Sequence, residues 1–150
     1  METQDEKRLL TSSLIIPIIL VLIMWLVKIV ETVFDLDFSF LGIKPISVEG
    51  LPGIILFHFI HGDWEHLFAN TVPILVLGTS LYYFYRPIAN KTLLILMFST
   101  GFLTWCGARS GVHIGASGLV YGLTFFLMIS GFIRRDRKLI IISLIVVFLY

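Results

Sequence analysis

His-Ile-Gly-Ala-Ser-Gly-Leu-Val-Tyr-Gly occupies residues 113–122, a run of small residues that opens an otherwise apolar segment. Gly115 and Gly118 lie on either side of Ser117 and leave its hydroxyl free of neighbouring side-chain bulk. Gly118 and Gly122 are one helical turn apart, so a neighbouring helix can approach this face closely. The run is either a flat helix-packing face or an accessible serine hydroxyl, and the rest of the chain decides between them.

The sequence around this run is apolar enough to lie in a membrane. Hydrophobic residues make up 57% of the chain and charged residues 14%, and the apolar runs are too long for a soluble core. The net charge is only +1, and no basic tract with interleaved aromatics indicates a nucleic-acid-binding protein. The sequence therefore predicts an all-α, polytopic membrane protein that forms a single helical bundle.

About four apolar segments are long enough to cross a bilayer, which takes about 20 residues. They run from Leu14 to about Phe34, from Trp64 to about Tyr85, from Thr92 to about Ala108, and from Gly115 to about Ile133. Between the first two, Leu51–His61 has 11 residues, and we expect it to lie in the interface or to re-enter the membrane.

A fifth apolar segment, Leu139–Tyr150, is shorter. Its 12 residues reach about 18 Å as a helix, against a hydrocarbon core of about 30 Å. We expect the chain to end inside this truncated fifth span. The prediction is a cytoplasmic N-terminal segment over residues 1–13 and a membrane domain over residues 14–150 that is incomplete at its C-terminus.

Basic residues segregate to one side of these spans. With four complete spans, one side holds Lys7, Arg8, Arg86, Lys91 and the cluster Arg134, Arg135, Arg137 and Lys138, and the other holds Lys44 and Arg109. Because Lys and Arg accumulate in cytoplasmic loops, we predict a cytoplasmic N-terminus and external loops at 35–50 and 109–114. The expected location is a multi-pass protein of the plasma or inner membrane.

A second polar group falls at the same predicted depth as Ser117. Asp63 is predicted to cap the helix that starts at Trp64. His66 and Asn70 are four residues apart on that helix, so they share a face and can donate hydrogen bonds into one space. Each could instead bond a neighbouring helix. Beside a glycine-flanked serine, however, they have the residue types of donors to an oxyanion.

The remaining polar candidates lie close to these residues in the sequence. His58 and His61 precede the capped turn and are predicted to anchor the short segment, with His61 holding the loop against the second spanning helix. His113, four residues before Ser117, is either a structural hydrogen-bonding residue or a weak candidate for the general base. Tyr121 is one turn from Ser117 on the same helix face.

These two motifs resemble those of the rhomboid intramembrane serine proteases. The matching stretches are His61-Gly-Asp-Trp-Glu-His66-Leu-Phe-Ala-Asn70 and His113-Ile-Gly-Ala-Ser117-Gly118 with Tyr121. Their spacing, order and topology are similar to those of the family's second and fourth helices over nearly all of the chain.

The resemblance implies an intramembrane serine endopeptidase with Ser117 as the nucleophile. His66 and Asn70 would stabilise the oxyanion together with backbone amides, and Gly115, Gly118, Tyr121 and His61 would line the site. In the family the general base is a histidine of the sixth helix, whereas no histidine follows Ser117 in this sequence. Substrates would be transmembrane proteins cleaved in the lipid bilayer near its outer face, with no nucleic acid, metal ion or organic cofactor involved.

Three interpretations remain open from the sequence. The first is a rhomboid protease that is cut short here, so that the 150-residue chain itself is inert and Gly118 and Gly122 await a later helix carrying the histidine. The second is a rhomboid-like pseudoprotease that binds membrane clients without cleaving them. The third, a small transporter subunit, is weakest because no internal repeat is present.

Overall fold

The computed structural model describes residues 2–150, and it is all-helical over that range, as predicted. Short 3₁₀ turns at Ser39–Leu41, Val48–Gly50 and Phe57–Phe59 accompany six α-helices. These helices are α1 (Glu2–Phe34), α2 (Gly53–Leu56), α3 (Trp64–Phe84), α4 (Ala89–Gly107), α5 (Ser117–Arg134) and α6 (Arg137–Leu149).

The helices have the lengths and apolarity of a multi-pass membrane protein. Gln4–Phe34 of α1, together with α3 and α5, are long and apolar enough to cross a bilayer. Helix α4, the third of the four predicted spans, is not among these three. It has 19 residues, and its first turn is polar and contains Asn90 and Lys91. The first helix begins at Glu2 rather than at Leu14, because the residues before Leu14 include strong helix formers such as Glu, Lys and Leu.

The segment predicted to be too short to span folds as two short helical pieces. It forms α2 and the turn Phe57–Phe59, and α2 packs against α4. Gly101 permits a close approach, since a Cβ at this position would lie 2.0 Å from the carbonyl oxygen of Ile54. An isolated antiparallel bridge between Ile43 and His113 joins the loop before this segment to the loop between α4 and α5.

The core lies where α5 packs between its neighbours. Helix α5 contacts α3, α4 and α6, and α1 packs along α3. Buried side chains fill the space between them, including Met24 of α1, Leu67, Ile74, Leu77 and Leu81 of α3, Leu119, Leu123 and Leu127 of α5, and Leu139 of α6.

The glycines of α5 face α4. A Cβ at Gly122 would lie 2.9 Å from Thr100 Cγ2, and one at Gly118 would lie 3.6 Å from Thr100 Cβ and 3.5 Å from Phe57 Cζ. These small residues do admit a neighbouring helix, as predicted. Both glycines stay partly exposed, and the expectation that a helix beyond residue 150 also packs here stays a prediction.

Five hydroxyl groups inside the helices bond within their own helix. Thr71, Ser80, Thr100, Thr124 and Ser143 each donate to the carbonyl oxygen four residues earlier, at 2.7 to 2.8 Å. This pairing satisfies polar groups that apolar surroundings would otherwise leave without a partner.

Candidate active site

The first turns of α3 place the side chains of His66 and Asn70 close together. Asp63 caps this helix as predicted, with its Oδ1 accepting from the backbone N–H of His66 at 2.7 Å. Asn70 is fully buried and its Nδ2 donates to the carbonyl oxygen of His66 at 2.8 Å. An amide nitrogen carries two hydrogens, so one remains available to a ligand.

The loop before α5 brings the backbone close to His66. Gly115 has φ +109°, a conformation that favours glycine, and a Cβ there would lie 2.4 Å from His66 Cε1. Its N–H donates to the carbonyl oxygen of Phe57 at 2.8 Å. Ser117 is the first residue of α5. The first amides of a helix have no intrahelical acceptor, so they are free to bind negative charge.

Ser117, His66 and Asn70 lie together although they come from different helices. Ser117 Oγ is 3.4 Å from His66 Nε2 and donates to Asn70 Oδ1 at 3.3 Å. Ser117 and His66 are half-buried, so the cluster lies at the edge of the protein interior. A hydroxyl, an imidazole, an amide and the start of a helix therefore surround one small space.

Tyr150 completes this cluster, and sequence reasoning missed it. Its hydroxyl donates to Ser117 Oγ at 2.6 Å and lies 2.9 Å from Asn70 Oδ1. Its ring packs edge-on against Tyr121, with the centroids 5.6 Å apart. The available signal was that α5 and α6 flank the turn at Arg135 and Asp136. Tyr150 lies about as many residues after that turn as Tyr121 lies before it, so two antiparallel helices bring them to a similar depth.

His61 links the turn before α3 to the loop before α5. Its Nε2 accepts a hydrogen bond from the backbone N–H of Ala116 at 3.4 Å, and its ring lies edge-on to His66 at 5.1 Å. Burial, and next the neighbouring His66, lower the pKa of His61 to about 4. The imidazole is therefore neutral at neutral pH and keeps Nε2 as an acceptor.

The other two histidines bond elsewhere. His58 is buried and its Nε2 bonds to the carbonyl oxygen of Met97 at 3.0 Å. His113 bonds through Nε2 to the carbonyl oxygen of Arg109 at 2.8 Å. Of the histidines that the structure describes, only His66 is within hydrogen-bonding distance of Ser117.

Comparison with known proteins gives one family. The family model described as Rhomboid domain matches residues 49–150, which include every residue of the cluster. An uncharacterized protein of Mycobacterium tuberculosis (strain ATCC 25618 / H37Rv) is 34% identical over 143 residues, covering 87% of this chain and 57% of that protein.

An uncharacterized protein of Mycobacterium leprae (strain TN) is 32% identical over 141 residues, covering 85% of this chain and 53% of that protein. The chain therefore spans little more than half the length of these relatives. No solved structure gives a significant match.

Proposed function

Because the chain belongs to the rhomboid family, we propose that it carries the nucleophile and the oxyanion-binding residues of an intramembrane serine endopeptidase. The observation that carries the proposal is that Ser117 Oγ, at the start of α5, lies 3.4 Å from His66 Nε2 and 3.3 Å from Asn70 Oδ1. The substrates are transmembrane proteins, cleaved near the outer face of the membrane.

Acyl transfer to Ser117 gives each of these groups a part. Ser117 Oγ attacks the peptide carbonyl and loses its proton to a general base, which then protonates the leaving amine. Negative charge develops on the carbonyl oxygen. It is stabilised by the free hydrogen of Asn70 Nδ2, by His66 Nε2–H and by the first amides of α5. Water then hydrolyses the acyl ester and restores Ser117.

The general base in this proposal lies outside the 150 residues. The four histidines of the chain all precede Ser117, and His66 serves the oxyanion. Asp63 satisfies an amide at the start of α3 and is not free to take a proton. We therefore propose that the base lies outside these 150 residues, as the rhomboid resemblance implies; the match covers only 57% of the Mycobacterium tuberculosis relative.

A serine-reactive probe tests this division of roles. The protein with its complete sequence should react with a fluorophosphonate at Ser117, and the 150-residue chain should not. Labelling of the short chain at Ser117 would contradict the assignment of the base and would give that role to His66, the nearest imidazole. A complete protein that neither labels nor cleaves would be a pseudoprotease.

The proposed orientation puts the site near the external surface, with the N-terminus in the cytoplasm. Single cysteines replacing Lys44 and Arg137, in a variant without Cys106, allow this to be measured in intact cells with an impermeant thiol reagent. Position 44 should label and position 137 should not, because the basic cluster that contains Arg137 marks the cytoplasmic side. The reverse pattern would overturn the orientation.

A further inference from the structure

A mostly buried ion pair lies near the end of α1, away from Ser117. Lys28 Nζ and Glu31 Oε2 are 3.6 Å apart, and their side chains are only 14% and 8% exposed. Removing two charges from water is costly, so a pair of this kind is weak evidence for stability in itself. The hydrogen bonds that Lys28 and Glu31 make to other parts of the protein indicate what the pair does.

Both members of the pair hold backbone outside α1. Lys28 Nζ donates to the carbonyl oxygen of Gly62 at 3.0 Å, and Glu31 Oε1 accepts from the backbone N–H of Phe38 at 2.9 Å. Lys28 thus reaches the turn between His61 and Asp63.

That turn controls both halves of the candidate active site. Its first residue, His61, accepts from the amide of Ala116, next to Ser117. Its last residue, Asp63, caps α3 at the amide of His66. A displacement of Gly62 therefore moves the helix start that carries His66 and the loop that carries Ser117 together.

We propose that Lys28, oriented by Glu31, is a positioning residue that fixes the turn His61–Asp63 and thereby sets the distance between Ser117 and His66. Its effect on cleavage rests on the proposed function, whereas its effect on the geometry of the turn does not. A lysine that only extended its amine to the membrane surface would leave the Ala116 amide unaffected.

The positive charge of Lys28 has a second measurable consequence, its effect on the pKa of His61. The charged and titratable groups that act on His61 are His66, Lys28 and Asp63, and the nearby positive charge of Lys28 is one of the contributions that lower its pKa. Removing that charge raises the pKa of His61. A protonated His61 cannot accept from Ala116, so the loss of the bond on acidification begins at a higher pH.

The chain offers a matched control for removing a lysine from an ion pair. Lys44 and Glu49 pair at 2.8 Å, but their side chains are 40% and 77% exposed. An exposed pair contributes little, so Lys44→Met tests the loss of a lysine without loss of the buried contact.

The experiment compares Lys28→Met, Lys28→Arg and Lys44→Met in the complete protein. Readouts are hydrogen exchange at the Ala116 amide, the NMR titration of His61, and kcat and KM for a transmembrane substrate as a function of pH. Lys28→Met should speed exchange at Ala116 and raise the pKa of His61. It should also lower kcat about tenfold or more with little change in KM, because small displacements of reacting groups are costly. Lys28→Arg should restore much of the wild-type behaviour, and Lys44→Met should match wild type.

Unchanged exchange at the Ala116 amide in folded Lys28→Met would overturn the proposal, because loss of the lysine charge alone raises the pKa of His61. If the wild-type protein does not cleave but Lys28→Met still alters both structural readouts, the proposed function fails and the positioning role stands. If Lys28→Met does not fold, Glu31→Gln weakens the same contact while keeping its shape and the lysine charge, and exchange at the Ala116 amide decides.

Discussion

Two serines of α5, each followed by glycine, have different surroundings. Ser117 and Gly118 begin the helix, and Ser130 and Gly131 lie near its other end. Each serine contacts a tyrosine hydroxyl: Ser117 that of Tyr150, and Ser130 that of Tyr85. The same dipeptide with the same kind of partner therefore occurs twice on one helix.

Around Ser130 the contacts are those of helix packing. A Cβ at Gly131 would lie 2.9 Å from Ile140 Cγ1, so this glycine lets α6 approach. Tyr85 packs edge-on against Phe126 at 5.3 Å, and the Arg134 guanidinium lies 5.1 Å from the centre of its ring.

Around Ser117 the contacts are those that the proposed function assigns to a reactive site. An imidazole and a side-chain amide replace the packing residues, and the first amides of α5 have no helical acceptor. Position in the helix and the neighbouring side chains, rather than the Ser-Gly dipeptide, separate a candidate nucleophile from a packing serine.

Removing the hydroxyl of each serine in turn tests this comparison and has the largest expected effect. In the complete protein, Ser117→Ala should abolish fluorophosphonate labelling and cleavage, because the nucleophile is gone. Ser130→Ala should label as wild type, since its hydroxyl contacts only a packing residue. Gel fluorescence of the labelled protein measures both, and loss of labelling in Ser130→Ala would contradict the distinction.

A smaller effect is expected when an oxyanion donor is removed. Asn70→Ala should lower kcat by up to about 100-fold, the usual loss for one such donor, because His66 and backbone amides share the task. The control is Asn90→Ala, since Asn90 Oδ1 accepts from the exposed Tyr82 hydroxyl at 2.6 Å. If Asn70→Ala combined with His66→Ala leaves the cleavage rate unchanged, the oxyanion role is wrong.

Gly115→Ala should distort the site from the loop side. The positive φ at this position and the overlap of a new Cβ with the His66 ring should lower the free energy of unfolding by about 1–3 kcal/mol. Gly107→Ala is the control, because a Cβ there would meet nothing within 4 Å. Thermal unfolding in detergent gives both values, and equal stability of the two variants would argue against the close approach.

The smallest effect is expected at the packing serine. Tyr85→Phe removes the hydroxyl that contacts Ser130 and should cost about 1 kcal/mol of stability, the usual net contribution of a hydrogen bond. Probe labelling should be unchanged, and unfolding measurements together with labelling rates check both expectations. Slower labelling in a stable Tyr85→Phe protein would show that the two ends of α5 are coupled.

Local rules account for the parts that the sequence predicted well. The cap at Asp63 and the shared face of His66 and Asn70 depend on spacings of three and four residues, which a helix fixes wherever it lies. That Ser117 would lie near them was an expectation from topology and from the rhomboid resemblance. The distances agree with it.

The long-range contacts of Lys28 and Tyr150 were not predictable in the same way. Lys28 meets Gly62 from 34 residues away, and Tyr150 meets Ser117 from 33 residues away. Lys28 lies in the membrane-spanning part of α1 and Tyr150 directly follows α6. Both segments are apolar almost all round, and such a helix has no polar stripe to show which face packs inward. Hydropathy shows which segments are apolar enough to span the membrane, but it does not set their rotation.

The hydroxyls that bond within their own helices bear on biogenesis. Because Ser80, Thr124 and Ser143 carry their acceptors with them, α3, α5 and α6 can each enter the bilayer without waiting for a neighbour to satisfy those groups. Ser117 and Asn70 meet across two helices, so their pairing forms only after insertion, when the helices associate. A newly made chain would therefore be integrated in the membrane before Ser117 and Asn70 come together.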